Sequence, residues 1–328
     1  MTSIESVRLG AAASSKGDGP SLWKWGAAAG AAAGVAAAAF NALQARRAEE
    51  ANPPLGAFVE VDGVRLHYVE RGEGPVVVLL HGNGTMVEDW IASGVLDSLA
   101  RTHKVVAFDR PGFGWSERPR TTIWTPAAQA RLIAGALERL GHGGATMVGH
   151  SFGTQVALAA ALDHPEAVAR LVLISGYYYP TVRLDVPFTA PPAVPVIGDA
   201  IRYTVSPLIG AALRGPAERH MFAPAPVSEG WRTRFPFEMT LRPSQVRATA
   251  ADAAIMVPAA ATLAARLGEI VAPLTIVAGE GDAVVDPEGQ SARLAAEVPD
   301  SKLILVPGAG HMVHHSGLDQ VLEAIRGA

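Results

Sequence analysis

The sequence predicts an α/β fold, a mainly parallel β-sheet covered by helices on both faces. Three observations predict it. Short apolar runs alternate with stretches of helical period between residues 57 and 175, the order expected when helices carry the crossovers of a parallel sheet. Two of those runs, residues 75–80 and 105–109, are almost continuously apolar, as strands buried on both faces must be. The apolar run 145–148 leads at once into Gly149-His150-Ser151-Phe152-Gly153 and then into the helix-forming stretch 154–162, a strand that turns abruptly into a helix.

At 328 residues the chain is long enough for a large buried core. Its net charge of -4 offers no basic footprint for nucleic acid. With no cysteine in the sequence, disulfides, thiolate chemistry and Cys-ligated zinc are excluded. Residues 1–21 are rich in Ser, Gly and Ala without an apolar period and read as a disordered tail. Residues 22–44 carry Trp23 and Trp25 and then an uncharged run, 26–43, ahead of Arg46 and Arg47. Eighteen residues at 1.5 Å each come to about 27 Å, just short of a hydrocarbon core of about 30 Å, and the interfacial tryptophans close the gap. This stretch is expected to be one membrane-associated helix, of unset orientation because basic residues flank both ends. A cleaved signal segment on a secreted protein, or a soluble Ala-rich helix on a cytoplasmic one, are the alternatives. Gly26, Gly30 and Gly34 share a helix face, a spacing that an Ala/Gly-biased composition yields unaided. Residues 45–56, charged and then carrying Pro53-Pro54, read as a linker.

The main domain is expected over residues 57–328. Residues 58–62 and 64–70 alternate apolar and polar around Asp62-Gly63, so the sheet opens with an antiparallel hairpin. Residues 126–140 form a helix, with Thr125 at the N-cap, Pro126 in the first turn, and Leu132, Ile133, Ala136, Leu137 and Leu140 on one face. Residues 171–175, 273–278 and 303–306 are further strands, and 317–325 is the closing helix. From 176 to about 255 the alternation stops in a proline-rich stretch with helical pieces at 198–209 and 216–222; loops of this length are functional or disordered.

The strand-to-helix junction carries chemistry. Its central residue is held at positive φ, and its neighbours must be small because the two backbones nearly touch, which Gly149 and Gly153 allow. Ser151 then stands exposed at the tip, and the Phe152 amide, at a helix N-terminus, is free to donate to an oxyanion. The loop His81-Gly82-Asn83-Gly84 ends the 75–80 strand and can point a second amide at the same place; Asn83 is assigned, with Gly84 the alternative. His81 is read as ordering that loop, and Asp109 and Arg110 as holding the turn at 108–116. A serine hydroxyl needs a base, and the base needs a carboxylate to fix its tautomer. His311, on the glycine-rich loop after the last strand, is the expected base.

These motifs resemble the α/β-hydrolase superfamily from residue 57 to the C-terminus: His81-Gly82 after the third strand, the loop from Asp109 to Ser116 after the fourth, and Gly149-His150-Ser151-Phe152-Gly153 after the fifth. The resemblance implies an eight-stranded sheet, a cap inserted at about 176–255, and a triad of Ser151, Asp282 and His311. It puts the acid at Asp282 of Gly279-Glu280-Gly281-Asp282, with Asp286 as runner-up. It also makes the cap the selector of substrate, with Tyr177, Tyr178 and Trp231 as candidate substrate contacts or, alternatively, as the cap's own core. His311, His314 and His315 have a spacing seen in metal sites, but Gly308 and Gly310 mark a loop and no Glu lies between the histidines. No metal and no cofactor is expected, and His314 and His315 are read as surface or helix-start residues.

The expected activity is hydrolysis of a small apolar carboxylic ester through an acyl-enzyme. Hydrolysis of a C–C bond beside a ketone is the alternative, and a non-catalytic ligand-binding or membrane-tethered interaction protein is the alternative of a different class. Haloalkane dehalogenase and epoxide hydrolase activities are disfavoured, because relatives with them use an aspartate nucleophile where this chain has Ser151. The sequence sets no oligomeric state.

Overall fold

The computed structural model describes residues 22–183 and 186–327; the tail expected at 1–21 lies outside the described residues. Eight strands form one sheet: β1 (Ala57–Val61), β2 (Val64–Arg71), β3 (Val76–Leu80), β4 (Lys104–Phe108), β5 (Ala145–His150), β6 (Val168–Ile174), β7 (Leu274–Gly279) and β8 (Lys302–Val306). Their order is β1-β2-β4-β3-β5-β6-β7-β8. β2 is antiparallel to both its neighbours, and every other pairing is parallel. Asp62 and Gly63, at φ 50° and 73°, close the opening hairpin as the tight-turn reading requires.

The longer helices are α1 (Leu22–Ala51), α2 (Pro126–Leu140), α3 (Phe152–Asp163), α4 (Ile197–Thr204), α5 (Ser206–Phe222), α6 (Pro243–Ala264) and α7 (Leu318–Arg326). The Thr125 hydroxyl accepts from the Ala128 amide at the start of α2, and Gly141, at φ 73°, ends that helix. Side chains of successive strand residues face opposite ways, so the sheet has a core on each face. In β3, Val78 and Leu80 join the core that includes Leu132, Val156 and Met256. Val77 and Leu79 join the opposite core, with Trp90 and Ile325.

Two elements depart from the sequence reading. The N-terminal helix does not stop near residue 44 but runs to Ala51. Residues 45–51 are rich in Ala, Arg and Glu, good helix formers, and the end of the helix is held by the cap. Asn41 donates to the carbonyls of Tyr203 and Thr204 at 2.9 and 2.8 Å, and Glu49 pairs with Arg242 at 3.1 Å. The linker therefore shrinks to the residues around Pro53-Pro54. The second departure is α6, the long helix that closes the segment between β6 and β7. Its inner residues Met256, Ala260 and Leu263 pack into the main core, so the cap is rooted in the sheet layer.

Two close approaches fix the turn from β5 into α3. A Cβ on Gly149 would lie 2.5 Å from the Gly153 carbonyl oxygen, and one on Gly153 would lie 2.2 Å from the Leu80 carbonyl oxygen. Neither atom can move without breaking sheet or helix bonds. Gly153→Ala is therefore expected to destabilise the fold by about 1–3 kcal/mol or more, read as a lowered denaturant midpoint with an unchanged m-value.

Candidate active site

Ser151 sits at φ 51° and ψ -119°, strained for a residue with a Cβ, between the end of β5 and the first residue of α3. Its own amide donates to the Ile174 carbonyl at 2.9 Å, tying the tip of the turn to β6. The loop after β3 backs directly onto it, since a Cβ on Gly82 would lie 3.2 Å from the Ser151 Cβ. The Phe152 and Asn83 amides donate to no group among the described residues. Both expected oxyanion donors are thus unspent and stand on the two segments that flank the serine.

Asp282 and His311 meet as expected of an acid and a base. The imidazole Nδ1 is 2.9 Å from Asp282 Oδ2, and both residues are buried. The other oxygen, Oδ1, accepts from the Val284 and Val285 amides at 2.9 Å each, which fixes the carboxylate before any substrate arrives. Asp286 instead caps the turn that follows, where its oxygens accept from the Glu288 and Gly289 amides. Among the described residues no hydrogen bond joins Ser151 Oγ to His311.

His150, a residue the sequence reading left without a role, holds the loop of His311. Its Nε2 lies 3.1 Å from the His311 carbonyl oxygen. A carbonyl only accepts, so Nε2 carries the proton. Burial, then the neighbouring His314 and His311, hold the His150 pKa well below the ordinary histidine value, so the ring is neutral. His81 orders the loop after β3, as expected. It accepts the Arg110 amide on Nε2 at 3.0 Å and donates from Nδ1 to the Gly82 carbonyl at 2.8 Å. Burial and then Arg110 push its pKa down to about 4.

Arg110 does more than hold a turn. Its fully buried guanidinium donates to the His81 and Gly82 carbonyls at 2.8 and 2.9 Å, to Gln129 of α2 at 2.9 Å, and to Asp252 of α6 at 2.6 Å. Asp252 also accepts from Arg118 at 2.8 Å. The loop after β3 is thereby fastened from behind to the cap's root. Asp109, as expected, holds its turn: it accepts from His67 Nδ1 at 2.7 Å and from the Val87 and Trp115 amides at 2.9 Å.

His314 and His315 are not surface residues. They lie on the short helix Val313–Ser316, His314 buried and His315 half-buried with its side chain turned inward, and both Nε2 atoms point to Asp89 Oδ1, at 3.0 and 2.8 Å. Those separations are the lengths of hydrogen bonds. Burial alone would raise the Asp89 pKa, but the two histidines hold it well below the carboxylate range. The proposed substrate contacts are likewise committed to packing. Tyr177 and Tyr178 belong to the main core, and the Gln290 side chain accepts the Tyr178 amide. Trp231 stacks on Phe235 at 3.9 Å and donates to Glu218.

Residues 75–318 match the family model described as alpha/beta hydrolase fold. A 2-hydroxymuconate semialdehyde hydrolase of a Pseudomonas species is 36% identical over 142 residues, which cover 42% of this chain and 50% of that protein. Haloalkane dehalogenase 2 of Mycobacterium tuberculosis is 27% identical over 274 residues, covering 80% and 90%. Among solved structures, an N-acyl homoserine lactone degrading enzyme aligns with a TM-score of 0.60 at 26% identity, over 83% of this chain and 99% of that one. The chain spans half the length, or less, of the first curated relatives it matches.

Beside Asp89, the buried Glu88 carboxyl has its pKa pushed up to about 8, by burial first and by Asp109 second. A folded-state pKa raised above the unfolded value contributes stability below the unfolded pKa and loses it as pH rises through the folded one. Glu88→Gln should therefore gain stability over wild type progressively from about pH 4.5 to about pH 8, by a few kcal/mol at the top of that window. Chemical denaturation of both proteins at pH 5 and pH 9 checks this; equal differences at the two pH values would refute it.

Proposed function

The chain belongs to the alpha/beta hydrolase fold family, and on that premise we propose that it is a serine hydrolase cleaving a carboxylic ester or similar acyl substrate through an acyl-enzyme. One observation carries the reading: a serine held at φ 51° on a strand-to-helix turn, next to a residue that grips the backbone of an imidazole paired with a buried carboxylate at 2.9 Å. In the first step Ser151 Oγ attacks the substrate carbonyl carbon while its proton passes to His311 Nε2. Asp282 stabilises the imidazolium, and the amides of Phe152 and Asn83 receive the oxyanion. His311 then returns the proton to the leaving alkoxide. Water, deprotonated by the same imidazole, attacks the acyl carbon, and Ser151 departs with the proton. Each oxyanion donor is worth about 10²–10³ in rate.

The likeness to a haloalkane dehalogenase does not change this reading. Displacement of halide by a serine would leave an alkyl ether, which has no carbonyl for water to attack, so the chemistry needs a carboxylate nucleophile. A second reading, hydrolysis of a C–C bond beside a ketone, is favoured by the 2-hydroxymuconate semialdehyde hydrolase relative and uses the same base and oxyanion donors. The lactone-degrading relative, whose substrate is a cyclic ester, favours the first reading.

We also propose that α1 anchors the protein to a membrane. The stretch from Trp23 to Phe40 is almost wholly exposed, with Trp23 at 71% and Val35 at 71%. The bonds of Asn41 and Glu49 to the cap favour retention of the segment over its removal as a signal.

A fluorophosphonate probe is expected to label the wild-type protein and not Ser151→Ala; folded wild type that stays unlabelled would point to a non-catalytic binder. Asp282→Asn should keep its fold and lose about 10⁴ in kcat, through the wrong histidine tautomer. Parallel kcat/KM values for an ester and a vinylogous diketone decide between the two bond types. Full-length protein is expected in the membrane fraction and a chain starting at Asn52 in the soluble one.

A further inference from the structure

Among the described residues, most of the large apolar side chains left exposed lie on α1 or on the cap between Val182 and Leu213. Within the cap, Val205, Ile209 and Leu213 recur every four residues and so share one face of the α5 segment, with Leu208 beside them. Each is 49–55% exposed. This face lies where α1 leaves the body of the protein. The Asn41 side chain bonds the carbonyls of Tyr203 and Thr204, just ahead of α5, and Asn41 stands two residues before the uncharged run 26–43 ends. A groove between the two helices has Phe40, Ala45 and Ala48 on one wall and Pro207, Leu208 and Ala211 on the other. The apolar surface of α1 thus continues onto α5. On the next turn of α1, Arg46 and Arg47 are exposed.

With the run 26–43 across a bilayer, its end sits at the boundary of acyl chains and headgroups. The end of α4, bonded to Asn41, and the start of α5 that follows at once sit at the same depth, and Arg46 and Arg47 fall among the headgroups. A second copy of the chain covering the α5 face would still leave the stretch 26–40 in water, whereas a bilayer covers both at once. Building on the anchor reading of α1, we propose that the α5 face of Val205, Leu208, Ile209 and Leu213 is embedded in the headgroup–acyl boundary, so that the cap is seated on the membrane beside its own anchor. A helix lying in that boundary by an apolar face needs no further span.

The chain has no cysteine, so a single introduced thiol carries a single fluorophore. Full-length Ile209→Cys, Val35→Cys and Glu73→Cys, the last on the exposed loop before β3, are labelled and reconstituted into phosphatidylcholine vesicles. Retained fluorophosphonate labelling reports that each variant is folded. Lipid brominated near the headgroup should quench the label at 209, lipid brominated at mid-chain should quench the label at 35, and neither should touch the label at 73. Quenching at 35 with a label at 209 that only aqueous iodide reaches would overturn the seated cap and leave the anchor standing. No lipid quenching at either position would overturn both. A label at 209 hidden from lipid and iodide alike, in particles of doubled mass, would assign the face to a second copy and also overturn the proposal.

Discussion

The two backbone approaches at the turn from β5 to α3 decide where everything else in the site must be. With no Cβ at 149 or 153, α3 can start against β3, and Ser151 is carried over the edge of the sheet in a conformation that costs of order 1–3 kcal/mol. That cost is met by β5 lying in the middle of the sheet, paired with β3 on one side and β6 on the other. The preceding residue then points the opposite way along the strand, and this places His150 where it can hold the His311 backbone. Ser151 and the loop of His311 are in this sense positioned by one stretch of chain.

What was legible in the sequence is what local chemistry enforces. Gly149 and Gly153 announce the turn because only glycine fits; Thr125, Pro126 and Gly141 bound α2 because caps and first turns have their own residues. The pairing of Asp282 with His311 was readable through the resemblance to the α/β-hydrolase superfamily, and the mainly parallel sheet brings together the two strand ends that carry them. The bonds that hold the site in place were not readable. Arg110 reaches Asp252 across 142 positions of sequence, and His314 and His315 reach Asp89 across 225 and 226, and no period or motif links such partners.

The cap shows the same division. Its short helices leave a weak signal in a proline-rich stretch, and α6 is masked because Pro258 lies inside it and its many alanines draw no apolar stripe. Aromatic side chains invite a reading as a substrate pocket, yet Tyr177, Tyr178 and Trp231 are held by Thr181, Gln290 and Glu218 and by their neighbours. A large side chain with one polar end fills a core as readily as a cleft, and sequence period does not separate the two.

The carboxylate of Asp252 is shared by Arg110 and Arg118, and all three side chains are almost wholly removed from water. Lifting α6 off the body would take the carboxylate from both guanidinium groups and leave the charge of the fully buried Arg110 unmatched, a penalty of about 3–5 kcal/mol. The C-terminal end of the cap is accordingly pinned to the loop that backs onto Ser151.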